Sequence, residues 1–151
     1  MSCAVRSAGL LPYRLDANLE VLIAHPGGPW FAKRDAGSWS LVKGIVKDGE
    51  EDHAAAMREF HEETGWQVPS IEWIPLGETT LKSRKVIIAW GIEASFDLQS
   101  FNPGTFTLYG REYPEIDRVV WMTPDSAREK LNPAQIVFVD RLEAELVGSD
   151  T

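Results

Sequence analysis

The sequence predicts an α/β domain, a sheet covered by helices on its faces, and three observations predict it. Apolar runs of strand length recur between turn residues. Helical stretches are interleaved with them rather than segregated. Residues 52–64 hold neither Pro nor Gly and are rich in Ala, Met, Arg and Glu. No repeat, low-complexity tract or linker interrupts the pattern, so residues 1–151 are expected to form a single domain.

In chain order, residues 4–13 and 20–24 read as a hairpin around Asp16-Ala17-Asn18, residue types that suit a turn. The run His25-Pro26-Gly27-Gly28-Pro29 reads as a loop, and residues 39–42 as a short strand. Asp52–Thr64 is the clearest helix, with Gly65 behind it as a C-terminal stop. Residues 71–78, 85–94 and 118–122 are expected as strands, and residues 124–130 and 133–146 as helices.

A chain of 151 residues with 44% apolar and 25% charged content has enough length to bury a core. Its formal charge of −8 repels nucleic-acid phosphates, and no basic run offsets it, which argues against duplex DNA as a partner. The longest apolar stretch, around residues 86–90, falls far short of the ~20 residues of a membrane span. The lone Cys3 has no partner for an intramolecular disulfide, and the N-terminus lacks the apolar run of a secretory signal, so a cytoplasmic location is expected. A small polyanionic substrate is compatible with this charge if cations screen it.

The chemistry concentrates in residues 44–66: Gly44, Glu50, then Arg58-Glu59-Phe60-His61-Glu62-Glu63-Thr64-Gly65-Trp66. On a helix, Glu59, Glu62 and Glu63 stand at i, i+3 and i+4 and share a face, with small Ala55 one turn earlier leaving space before them. Ala56, Met57 and Phe60 are assigned to the core. Carboxylates clustered without Cys or a histidine cage suit a hard divalent cation, Mg2+ with Mn2+ as a substitute, and match zinc poorly. Such an ion would relieve their mutual repulsion, bridge phosphates to the acidic surface and help to activate water. Arg58, on the flank of that face, is expected to hold Glu50 or a neighbouring carboxylate.

Residues 44–66 resemble a complete Nudix box, G-x5-E-x7-R-E-U-x-E-E-x-G-U, where U is a bulky apolar residue and every fixed position matches. With residue frequencies of roughly one in fifteen, seven fixed matches arise by chance on the order of once per hundred million starting positions. Coincidence therefore does not compete. The resemblance implies the Nudix α/β/α sandwich, with a mixed sheet and the box as a loop-helix-loop over it. It also implies attack of water on a phosphorus of a nucleoside diphosphate linked to another group. Glu59, Glu62 and Glu63 then occupy metal-ligand positions, the backbone carbonyl near Gly44 completes the site, and Glu59 orients or deprotonates the water.

The flanks extend the likeness. Trp39-Ser40-Leu41-Val42-Lys43 is similar to the entry of many members, with Val42 where a proline commonly precedes Lys-Gly. The runs at residues 25–29 and 114–121 resemble a bacterial branch of predicted NTP pyrophosphohydrolases, similar in layout to diadenosine tetraphosphate hydrolases. That likeness makes Glu115 a further functional glutamate, at the metal and as the alternative general base. Lys43, Lys33, Arg34, Arg84, Lys85 and His25 are candidates for phosphate contact, against ordinary surface charge or, for His25, an incidental turn residue. Trp30, Phe31 and Tyr109 either stack a base or anchor a loop, and Glu50 either shapes its loop or joins the metal network.

Residues 81–84 carry neither the tyrosine nor the proline by which some Nudix branches announce dinucleoside polyphosphates or ADP-ribose. The substrate is therefore open: dinucleoside polyphosphates or (d)NTPs first, nucleotide sugars or RNA 5′ ends as an alternative, and a non-catalytic nucleotide-binding module as a reading of a different class. The expected partner is a small nucleotide, and the expected state a monomer or homodimer.

Overall fold

The computed structural model describes residues 5–148; Cys3, and Ala4 at the head of the first expected strand, lie outside them. Strand β1 (Arg6–Leu15) is the centre of a six-stranded sheet with β2 (Leu19–Pro26), β3 (Val42–Ile45), β4 (Ile74–Thr80), β5 (Val86–Glu93) and β8 (Ile116–Met122). Between β5 and β8, strands β6 (Thr105–Leu108) and β7 (Arg111–Pro114) form a separate two-stranded hairpin. The helices are α1 (Asp52–Thr64), α2 (Pro124–Lys130) and α3 (Ile136–Gly148). None of those described is long and apolar enough to cross a membrane.

The sheet runs β4-β5-β1-β2-β8 and is mixed, because β1 pairs with β5 in parallel and with β2 antiparallel. β3 shares an edge of β1 with β2: Ala8 lies opposite Gly44, while Tyr13 lies opposite Val21 further along. Alternating side chains divide the core between the two faces. Leu11, Tyr13, Val21, Ile23 and Ile87 pack with Phe138 and Leu142 of α3 on one, and Ala8, Leu10, Leu22 and Ala24 pack with Ala55 and Phe60 of α1 on the other. Covering both faces makes the central strands nearly continuous apolar runs rather than alternating ones. The expected α/β/α sandwich with a mixed sheet is the observed architecture.

Several boundaries move. The strand expected at residues 39–42 pairs instead at Val42–Ile45, where the edge of β1 left free by β2 recruits Lys43 and Gly44; Trp39 and Ser40 make only single bridges, to Leu131 and Ala24. β4 begins at Ile74 and β8 at Ile116, and a 3-10 turn, Pro133–Gln135, precedes α3. The β6–β7 hairpin was not expected. Its turn holds Tyr109 and Gly110 at φ of 50° and 77°, the two positive values of a tight hairpin turn whose twist matches its strands.

Helix α1 also corrects the expected assignment of its faces. Ala55, Ala56 and Phe60 are fully buried, whereas Met57 is 42% exposed. Glu59 and Glu63 follow Ala55 at one-turn intervals, so this row of carboxylates runs up the inner side of the helix instead of standing opposite the core.

Candidate active site

Strand β3 brings Gly44 against α1 so closely that no side chain fits between them. A Cβ on residue 44 would lie 1.9 Å from Cδ and 2.0 Å from Oε2 of Glu59. The glycine therefore makes room for the carboxylate; at its far end α1 is stopped by Gly65, which is left-handed and donates to the His61 carbonyl. Gly44→Ala is expected to swing Glu59 away from its place and lower turnover roughly ten- to hundredfold. Its melting temperature should change little, because the displaced atoms are the end of one side chain. Steady-state rates beside a thermal melt test this; unchanged turnover would show that the contact does not fix Glu59.

Arg58 binds the acidic group together. Its Nε and Nη2 donate to the two oxygens of Glu50 at 2.9 and 3.0 Å, Nη1 donates to Glu59 at 2.9 Å and Glu62 at 3.2 Å, and Nη2 also reaches the Ile45 carbonyl at 3.0 Å. The guanidinium and the Lys47 N–H hold the Glu50 carboxyl down at about 2, and the same carboxylates raise the proton affinity of Arg58 further. With both oxygens on Arg58, Glu50 fastens the loop before α1 to the helix.

Glu59, Glu62, Glu63 and Glu115 line a single cleft of about 340 Å³ with Lys43 and Gly44. Burial, then the charges of Glu115, Glu59 and Glu62, push the Glu63 carboxyl up to about 7, against a smaller opposing pull from Lys43. Burial and Glu59 raise Glu115 as well. Among the described residues no three His, Cys, Asp or Glu side chains converge on a preformed metal cage. The group nonetheless fits a hard cation: all its donors are oxygens, and Glu63 and Glu115, crowded enough to resist ionisation, lack the counter-charge that a divalent ion supplies.

A larger cleft of about 460 Å³ adjoins this one, and Lys43, Glu63 and Glu115 line both. Burial, followed by the charge of Lys85, lowers the proton affinity of Lys43, with Glu59 and Glu63 acting in opposition. Phe31, Arg34, Trp39, Leu81, Asn132 and Gln135 are among the other residues of the larger cleft. Sequence reasoning did not find Asn132 and Gln135: they follow α2, and only the Asn-Pro turn at residues 132–133 signals an irregular segment there.

The remaining expected phosphate contacts fall elsewhere. His25 is 1% exposed; its Nδ1 lies 2.9 Å from Asp117 Oδ1 and its Nε2 lies 2.7 Å from the Arg34 carbonyl oxygen. With both nitrogens engaged in the interior it holds a loop rather than a phosphate. Lys33 and Arg84 are exposed and line neither cleft, Arg84 standing at φ 70° in the β4–β5 turn. Lys85 is also outside both linings, and its charge bears on Lys43.

The model of the NUDIX domain matches residues 5–142. The chain belongs to the NUDIX domain family. With every fixed residue of the box in place it is a Nudix pyrophosphohydrolase. Solved structures repeat the fold across nearly all of its length. The C. elegans Ap4A hydrolase binary complex is 20% identical, with 94% of this chain and 98% of that one covered at a TM-score of 0.71. The NUDIX domain of Shewanella oneidensis NrtR complexed with ADP ribose is 14% identical, with 97% and 90% covered at 0.67. The MutT protein of Methanosarcina mazei Go1 is 20% identical, with 94% of each chain covered at 0.64. No curated protein matches the sequence.

Proposed function

We propose that this Nudix pyrophosphohydrolase uses Mg2+, with Mn2+ as a substitute, to cut nucleoside polyphosphates, dinucleoside polyphosphates or (d)NTPs before other linked diphosphates. One observation carries the reading: the carboxylate cleft adjoins a larger cleft with both apolar and polar lining residues, and Lys43, Glu63 and Glu115 line both. A nucleoside seated in the larger space lays its phosphates across Lys43 and over the carboxylates. The fold likeness to the C. elegans Ap4A hydrolase and to the Methanosarcina mazei MutT protein supports the same class.

In this reading Glu59, Glu62, Glu63 and Glu115 would hold the cation, with the Gly44 carbonyl as a further ligand. When bound, the ion supplies neutralising charge and polarises the phosphoryl group. Glu59 orients the water and receives its proton, with Glu115 as the other candidate base in the same cleft. Arg58 touches no substrate here: it fixes Glu59 and Glu62 against the loop. Lys43 offsets phosphate charge beside the departing group.

A panel of dinucleoside polyphosphates, nucleoside triphosphates, nucleotide sugars and 5′-triphosphorylated RNA, incubated with Mg2+ and resolved for released mononucleotide and diphosphate, tests the proposal. Product from the first two classes ahead of the others is expected. Cleavage of sugars or RNA alone would reassign the substrate, and affinity without any product would leave a binding module.

A further inference from the structure

Trp30 is 69% exposed and, without lining the larger cleft itself, lies against Arg34, which does. It is nevertheless not a loose side chain. The Arg34 guanidinium lies 4.5 Å from its ring centroid and covers one face, while Arg34 itself lines the cleft. The backbone beneath this pair is fixed from the interior: the Arg34 carbonyl is held by buried His25, which is held in turn by Asp117. Asp35 accepts from the Trp39 indole N–H at 2.8 Å and pairs with Lys130. An indole with one face on a cation and the other towards solvent is a ready surface for a flat aromatic ring.

We propose that Trp30, backed by Arg34, is a stacking platform for a second nucleobase, so that the site selects dinucleoside polyphosphates over nucleoside triphosphates. This rests on the nucleotide-hydrolase reading and adds the substrate class. A triphosphate carries one base, and the larger cleft, about 460 Å³ and lined in part by Phe31, has room for one. The second nucleoside of a dinucleoside polyphosphate must leave the cleft, and on the side of Arg34 it meets the open face of Trp30. Arg34 both lines the cleft and covers the ring, a double task that suits a planar guanidinium better than an ammonium.

The test compares wild type, Trp30→Ala and Trp30→Phe on a dinucleoside tetraphosphate and on the matching nucleoside triphosphate. Loss of one stacked base should lower kcat/KM for the dinucleoside about tenfold more than for the triphosphate in Trp30→Ala, through KM, and Trp30→Phe should restore most of the difference. Because the residue is exposed, the fold should tolerate both changes. An equal effect on the two substrates, or none, overturns the platform, and so does a wild type that prefers the triphosphate. Should wild type cut neither, the hydrolase reading fails separately, and calorimetry of the intact dinucleoside still decides: affinity lost in Trp30→Ala and regained in Trp30→Phe supports the platform, equal affinity in all three refutes it.

Discussion

Glu59→Gln is expected to lower turnover by roughly a hundredfold or more while the protein keeps its fold. Glutamine preserves the length of the side chain and its helix propensity, and it still fills the space that Gly44 leaves open beside α1. What it removes is the charge. The amide neither takes a proton from water nor binds a cation as a carboxylate does. If Glu59 acts mainly in the transition state, kcat falls and KM moves little; if it acts mainly as a ligand, added Mg2+ restores part of the rate. Rates measured across Mg2+ concentrations separate the two, and undiminished turnover would remove Glu59 from the chemistry. The Arg58 contact to Glu59 at 2.9 Å weakens in this variant, but Glu50 keeps both of its bonds to the guanidinium, so the loop remains fastened.

The sequence was most legible where function requires fixed residues at fixed spacing. Residues 44–66 announce the helix, its glycine stop and the carboxylates, and those side chains do meet in one cleft. Periodicity could not show that Glu59 and Glu63 lie on the inner side of α1, because a row of charges normally implies the solvated face. Only the sheet beneath, with β3 pressed against the helix, shows that the acidic row is half-buried and that Glu63 resists ionisation. His25 misled for a related reason: a histidine between a strand and two glycines looks accessible, and its interior partners, Asp117 and the Arg34 carbonyl, lie 92 and 9 residues away. The β6–β7 hairpin was hidden by its shortness, four residues to a strand, and by its turn, where Tyr109 stands in place of the Asn, Asp or Gly that usually precedes such a glycine. That hairpin helps to place Glu115: the Glu115 N–H donates to the Gly104 carbonyl, and the Gly104 N–H donates to the Glu62 carbonyl of α1.

Removal of divalent cations is expected to abolish turnover and also to reverse the effect of pH on stability. Glu63 sets the sign of the second effect. Its carboxyl titrates at about 7 in the fold against 4.5 for the free side chain, so between those values the folded state binds more protons than the unfolded one. The stability it contributes is complete below 4.5 and is lost as pH rises through 7. Glu115, raised by burial and by Glu59, acts in the same direction. Glu50 acts oppositely and in a different window: held at about 2 by Arg58, it contributes stability above 4.5 that is lost as pH falls towards 2. In chelator the melting temperature should therefore fall between about pH 5 and about pH 7.5, and Glu63→Gln should flatten that fall. Mg2+ competes with the protons and binds better as the carboxylates ionise, so its stabilising effect should grow across the same interval. Melts at both pH values, with chelator and with Mg2+, measure all of this beside the rates. A cation-free melting temperature that climbs from the lower pH to the higher would show that Glu63 and Glu115 are not short of counter-charge, and full turnover in excess chelator would show that the cleft is not the seat of a catalytic metal.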